Sequence, residues 1–598
     1  MESTARLLLA LFLSMSAIYL WNHYYVNPKI EKAEIALKQK QKELIEQEKL
    51  DSLDINSANS LDSLSGDFQV SEGLAIKKTS SKIISRTKLI KNDFSKNLRV
   101  KISTKDVEGS INLQGLLLDD LTLKNYNETL KNDSGKVVLL SPKNTKELYF
   151  LRSGWVSKGK ANVKTPDENS LWKIISKNKI LTENNPIELA WDNGEGFIFK
   201  QKISLNEKYL FEIQQSVSNN SGVNVSLSPF ALSNRAVEER ENVFISHEGA
   251  IAYAEDEIKE VKYSTLAEEG KQEFKKTKGW AGISDKYWLT SILPQDSSKG
   301  LFDIRFNHYR SNQKDRYQVD ILGENFTLKN GEELNYKFNF FAGSKKLKLL
   351  EKYSKELDIK LFDRAIDFGI YYIITKPIME ALYFFNKYFN NLGLAIMALT
   401  ICVRLLLFPV ANKAYNSMAR MRKHMPEIQR MKEKYKKDSQ KLGVEMMKYY
   451  KEHKINPLSG CFPLFIQIPI FFSLYKVLYV TIEMRHAPFF GWIKDLSEKD
   501  PTNILNFFGL LPYDVPAWLP AIGILPILYT LTMILQQKLN PPPSDETQRI
   551  VMAWMPWIFL FVFASFASGL VIYWIWNNIL SILQQWIITK RVEEDKKA

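Results

Sequence analysis

One arginine, Arg404, lies inside an otherwise apolar run, residues 392–411, and is followed directly by Leu405, Leu406, Leu407 and Phe408. If that run crosses a bilayer, a guanidinium at such depth costs several kcal/mol unless it meets water, a partner or the headgroup layer. The side chain can snorkel to the near edge, since Lys413 follows in the same direction, or it can stand in a wet recess between helices. The later apolar runs hold no acidic residue to neutralise it, which favours the recess. Thr400 lies one turn earlier on the same helical face. Gln467, Ser565, Ser568, Tyr573, Asn577 and Asn578 are further polar groups in the later runs that can line such a space.

Other chemistry is hard to find. The apolar half contains no His-Glu-x-x-His, no Gly-x-Ser-x-Gly and no phosphate-binding glycine loop. The 6 histidines, His23, His247, His308, His424, His453 and His486, are scattered, and the 2 cysteines, Cys402 and Cys461, sit in apolar runs. No metal site, cofactor, disulfide framework or enzymatic activity is expected.

The chain of 598 residues carries a net charge of +14 and divides into a polar first part and an apolar last part. Residues 1–26 hold an apolar run, 7–20, followed by Trp21, Tyr24 and Tyr25, and are read as a retained membrane anchor, with a cleaved signal peptide as the alternative. Residues 27–74 read as a charged helix and flexible linker. Over 75–345 short alternating runs separated by turn residues predict an antiparallel β-sandwich; examples are 136–140, 187–191 and 197–205, with a turn at Asp192-Asn193-Gly194-Glu195-Gly196. Within 346–390, Phe362, Ile366, Gly369, Ile370 and Ile373 share one helical face, so an interfacial amphipathic helix is expected there.

Five apolar runs follow, 392–411, 461–480, 518–536, 550–567 and 569–588, each about as long as a helix that crosses ~30 Å of hydrocarbon. With the anchor they predict an α-helical polytopic bundle of six spans. Residues 412–455 carry 13 Lys/Arg against 5 Asp/Glu, whereas 481–517 carry 3 against 5. Basic loops stay in the cytoplasm. The basic loop, both termini and the tail 591–598 therefore face inward, and the sandwich faces outward. Within the basic loop, Met418, Met421, Met425, Ile428, Met431 and Tyr435 recur at helical spacing. A second helix carries Leu442, Met446 and either Tyr449 or Tyr450, which predicts a hairpin. Its methionines can pack on each other or accept varied apolar segments, and its positive face can approach anionic lipid or ribosomal RNA. Lys476, near the outer end of its run, is expected to snorkel outward.

The run from Asn456 through Pro457, Gly460, Cys461 and Pro463 to Gln467, Pro469 and Phe471 resembles the third-span signature of the YidC membrane protein insertases. Arg404 with Pro409, the run Ala419-Arg420-Met421-Arg422, and Ser568-Gly569-Leu570-Val571 before Tyr573 are similar to that family too. So are Gly109-Ser110-Ile111-Asn112-Leu113, Asp119-Asp120-Leu121 and Ser153-Gly154-Trp155-Val156 in the outer domain. The resemblance implies a multi-domain inner-membrane protein: a periplasmic antiparallel β-supersandwich and, over 391–590, a five-helix insertase core that includes the cytoplasmic hairpin 412–456. It further implies a groove open to cytoplasm and lipid but closed to the periplasm, with Arg404 as its cation and Thr400, Gln467, Ser568, Tyr573 and Trp574 around it. In the hairpin, Met418, Arg420, Met421, Arg422 and Met425 are the expected contact residues.

The implied partners are nascent membrane proteins, the Sec translocon, the ribosome through the hairpin, and anionic lipids; no DNA partner is expected. Phe465, Phe471, Phe472, Phe561 and Phe563 are candidates for the apolar side of the exit path. Two rival readings belong to other classes, a small-solute transporter and a membrane-anchored sugar-modifying enzyme acting through the outer sandwich.

Overall fold

The computed structural model describes residues 84–594 apart from 132, 158–162, 207, 238–245, 296–300, 312–313, 436–437, 454–461, 512, 514, 516–521 and 540–545. The expected anchor and linker, 1–74, and residues 595–598 of the tail lie outside the described residues.

The polar part begins with a helix, α1, Arg86–Ser95. It is followed by two large sheets of 11 and 9 strands. The first runs from edge to edge through the nine strands starting at Lys271, Phe302, Lys314, Val225, Tyr149, Leu117, Val107, Arg99 and Ile180, with two more, starting at Phe326 and Lys136, paired to the Val225 and Leu117 strands off that path. The second runs through those starting at Glu257, Gly249, Trp280, Trp288, Glu333, Leu210, Phe197, Ile187 and Lys173. Pairing is antiparallel except where Lys101 and Ile102 meet Ile180 and Leu181. Period-two alternation decides which face is buried: in Phe197–Asn206, Phe197, Phe199, Ile203 and Leu205 point inward. The turn before that strand needs Gly194 and Gly196, at φ 75° and 87°. Asp192 and Asn193 close it by accepting the N–H groups of Gly194 and Glu195 at 2.8 and 2.7 Å. A short helix, α2, Tyr263–Glu269, bridges two strands, and α3, Leu347–Glu356, closes the sandwich.

Residues 361–389 are not one amphipathic helix. A 3₁₀ turn, Phe362–Ala365, is followed by a break at Gly369, whose φ of 70° no helix interior tolerates, and then by α4, Tyr372–Phe389. Phe362 and Ile366 are buried, with Phe362 against Trp280 and Phe341, whereas Ile370 and Ile373 are almost wholly exposed. The five residues predicted to share a face are therefore divided between the sandwich core and the outer surface.

The rest is helical: α5, Leu392–Lys434; α6, Ser439–Glu452; α7, Phe462–Val480; α8, Ile524–Leu539; α9, Glu546–Ala564; and α10, Ser568–Glu594. α5 runs without interruption from the first apolar run into the basic hairpin, capped at its start by Asn391, whose side chain accepts the Leu394 N–H at 3.1 Å. Among the described residues one helical stretch, Leu392–Ser417, is by itself long and apolar enough to cross a membrane; Gln467–Val480, Ile524–Leu539 and Arg549–Ala564 are shorter apolar helices. Asp500 and Thr502 take the N–H groups of Leu525 and Ile524, at 2.7 and 2.9 Å, and so fix the first turn of α8. α10 packs on α5 and α8, α4 on α5 and α7, and α9 on α8. One apolar core continues from the sandwich through Phe362, Ile366 and Phe368 into Met379, Leu382 and Ile396.

Candidate functional site

Along α10, Tyr573, Asn577 and Ser581 recur every four residues and so share one helical face. That face meets Arg404 of α5. The guanidinium Nε and Nη2 donate to Asn577 Oδ1 at 2.9 and 2.7 Å, and Nη2 also donates to Ser581 Oγ at 2.6 Å and to the Asn577 carbonyl at 3.3 Å. Asn577 and Ser581 are buried, and Arg404 is half-buried. The side chain is thus folded inward onto a neighbouring helix rather than extended along its own. All of these acceptors are neutral, and among the described residues no carboxylate lies within ion-pair distance of it. Hydrogen bonds to a charged group contribute about 1.5–3 kcal/mol each, enough to hold the guanidinium while its charge stays uncompensated.

Gln467 of α7 joins the same face by donating from Nε2 to Tyr573 Oη at 2.7 Å. Trp574, the next residue, turns to a second surface and packs tilted or edge-to-face in an aromatic cluster with Phe471, Phe563 and Tyr529, at centroid distances of 4.9, 5.9 and 6.2 Å. Further polar ties fix α10 on its other sides. Trp576 donates to the Met397 carbonyl, Asn578 to Thr532 Oγ1 and Gln585 to the Leu539 carbonyl, at 3.2, 3.1 and 3.0 Å.

Thr400 and Ser568 stand apart from this group as well. Thr400 is buried and donates to the Ile396 carbonyl of its own helix at 2.7 Å, the usual way a threonine satisfies its hydroxyl in an apolar helix. Ser568 begins α10, where its N–H donates to the Glu498 carbonyl at 2.7 Å; it is about 13 Å along the axis from Asn577.

Of the apolar candidates, Phe471 and Phe563 enter the aromatic cluster, and Phe472 and Phe561 face outward. The side chains of Phe465, Met418, Arg420 and Arg422 lie outside the described residues. In the hairpin, Met425 is buried and Met421 half-buried, while His424 Nδ1 sits 2.8 Å from Tyr449 Oη of α6. The residue sequence reasoning missed is Ser581. The four-residue step from Tyr573 through Asn577 was the signal that pointed to it.

Lys476 is a correction of a different kind. It does not reach out to the headgroups: its Nζ lies 2.7 Å from Asp367 Oδ2, in the break before α4. Asp367 also accepts the N–H groups of His247 and Gly369, at 2.7 and 3.0 Å, so one carboxylate ties the sandwich to α7. Burial alone would raise its pKa; the Lys476 ammonium and the two N–H groups outweigh that and hold it below the usual carboxylate range. Beside it, burial pushes Lys345 down to about 8 and His247 down to about 4.

His247 stays neutral and donates from Nε2 to the Ala250 carbonyl at 2.9 Å. Because its folded pKa is depressed from 6.5, the stability it contributes is present above pH 6.5 and is lost as pH falls towards 4. Detergent-solubilised protein should melt at lower temperature at pH 5 than at pH 7, and His247→Gln should reduce that difference.

Comparisons with known proteins follow the same division of the chain. Residues 384–596 match the family described as 60Kd inner membrane protein, and residues 99–381 match the YidC periplasmic domain. The membrane protein insertase YidC of Rickettsia bellii is 44% identical over 593 residues, covering 98% of this chain and 99% of the relative. The chain belongs to the YidC family. The Rickettsia felis YidC is 43% identical over 588 residues, with 98% of each chain covered. A crystal structure of an active YidC insertase aligns at TM-score 0.34 and 19% identity, covering 81% of this chain and 92% of its own. The protein is accordingly an inner-membrane protein, with the β-sandwich as its periplasmic domain and the helical region following it.

Proposed function

We propose that this YidC-family chain inserts nascent membrane proteins into the inner membrane, with Arg404 as a fixed cation that briefly attracts acidic segments in transit. The observation that carries this reading is the inward fold of Arg404 onto Asn577 and Ser581 with no carboxylate beside it among the described residues, which leaves a positive charge available to a passing chain. Moving a short polar tail across ~30 Å of hydrocarbon is the difficult step. A hydrated groove around Arg404, open to cytoplasm and lipid, shortens the dry part of that path. Partition of the substrate's apolar segment into lipid, at ~25 cal/mol per Å² removed from water, then drives the process without nucleotide hydrolysis. The aromatic cluster of Phe471, Tyr529, Phe563 and Trp574 forms the apolar wall of this route. In the same reading the chain has six spans with both termini in the cytoplasm, works alone or beside the Sec translocon, and uses the basic hairpin against the ribosome and anionic lipid.

Charges in the outer sandwich favour this over the sugar-enzyme reading. Its polar cavity of about 320 Å³ is lined by Asp93, Asp119 and Glu168, and all three already hold cations. Arg99 sits 2.9 Å from Asp93 and 2.7 Å from Asp119, and Lys143 sits 2.9 Å from Glu168. Depletion of the protein followed by protease protection of a membrane substrate with a short outer tail tests the proposal. The tail should remain accessible only from the cytoplasmic side. Normal translocation after depletion, or solute flux through purified protein in liposomes, would favour the transporter.

A further inference from the structure

The loop between α7 and α8 has two unlike parts. Up to residue 500 it is charged, with Lys494, Asp495, Glu498, Lys499 and Asp500; from 502 to 513 it reads Thr-Asn-Ile-Leu-Asn-Phe-Phe-Gly-Leu-Leu-Pro-Tyr and carries no charge. Ile504, Leu505, Phe507, Phe508, Leu510 and Leu511 are all exposed, Phe507 at 64% and Leu510 at 84%. A contiguous apolar tip of this kind is disfavoured in water. Phe507 and Phe508 moreover hold φ of 50° and 60°, left-handed values that cost a non-glycine residue about 1–2 kcal/mol each.

Much of the tip's backbone N–H complement finds acceptors in or beside the tip. Asn503 accepts the N–H of Leu505 through its side chain and that of Phe508 through its carbonyl, at 3.0 and 2.7 Å. Asn506 likewise takes the N–H groups of Gly509 and Leu511, at 2.9 and 3.1 Å, and the Ile504 N–H donates to the Ile522 carbonyl at 2.8 Å. Internal satisfaction of polar backbone is what hydrocarbon demands of any segment that enters it. The base is anchored as firmly. Asp500 accepts from Trp492 Nε1, from the Thr502 N–H and hydroxyl, and from the Leu525 N–H in the first turn of α8, at 3.2, 3.0, 2.7 and 2.7 Å. The tip is therefore held at the start of α8, continuous with the surface that helix presents to lipid.

We infer that residues 504–511 dip into the periplasmic leaflet and seat their side chains among lipid acyl chains, as a fixed wedge at the outer end of α8. The inference rests on α8 spanning the membrane, as proposed above. Acyl chains are the occupant that continuity with α8 and the uncharged sequence favour.

The test is depth measurement on the full chain in liposomes of phosphatidylethanolamine and phosphatidylglycerol. Cys402 and Cys461 are replaced by serine, and a fluorophore is placed through Leu510→Cys, with Lys494→Cys as the reference in the charged part. Lipids brominated on their chains should quench the label at 510 about threefold more than the label at 494, and iodide in the buffer should quench it less. Equal quenching at both sites, ready quenching by iodide at 510, or protection at 510 that persists in detergent at high protein concentration would overturn the inference, the last by showing a second copy as the occupant. Phe507→Asp with Leu510→Asp should raise iodide access at a label placed through Leu505→Cys; no change would also overturn it. These readouts do not depend on insertion activity, so they separate failure of the wedge from failure of the insertase reading.

Discussion

Arg404→Ala lowers insertion of a substrate with a short acidic tail about tenfold, equivalent to about 1.4 kcal/mol of transfer free energy. The effect arises because Arg404 is held by neutral acceptors, with no carboxylate within ion-pair distance among the described residues, and a half-buried charge is less screened than one at the surface. Substrates with neutral tails lose much less. Arg404→Lys keeps the charge but not the two-nitrogen grip on Asn577 and Ser581, and it should retain about half of the activity or more. Protease protection in depleted cells, with the variant expressed at normal abundance, measures all three. Full activity of the alanine protein on the acidic substrate would remove the electrostatic step.

The second large effect concerns Asp367. Asp367→Asn leaves Lys476 without its anion in a place where the two side chains are only 14% and 16% exposed. Removing one partner of a buried pair is strongly destabilising; with that residual exposure the loss should be about 2 kcal/mol or more. It should appear as a drop of several degrees, about 3–6 °C, in the melting midpoint of solubilised protein. Asp367→Asn combined with Lys476→Met removes both charges and should recover more than half of that loss. A single variant that melts with the parent protein would show that the joint between sandwich and α7 does not depend on this pair.

Much of this architecture was legible in the chain because its periodicities are local. The strand Lys136–Leu140 falls where alternation placed it, and α7, α9 and α10 start within four residues of the runs read from hydropathy. What stayed hidden depends on contacts between distant segments. Phe362 and Ile370 look equivalent on a helical wheel, but Gly369 breaks the helix and Trp280, far away in sequence, claims Phe362. Lys476 looked like a snorkelling lysine because Asp367 lies 109 residues away. At the site itself, type and placement marked Arg404, Asn577, Tyr573 and Gln467, whose side chains the structure brings onto one face. Sequence shows which face the Thr400 hydroxyl is on but not that its own Ile396 carbonyl takes it.

The unbroken helix α5 joins the Arg404 site to the basic hairpin in one piece. From Arg404 to Met425 the rise is about 31 Å, and within that length lies Pro409, where the missing N–H leaves a gap in the ladder and permits a bend. A displacement of the hairpin therefore has a single helix along which to reach the Arg404 site, with Pro409 as the point where that helix can flex. Whatever moves the far end of α5 can in this way bear on the grip of Asn577 and Ser581 without ever approaching them.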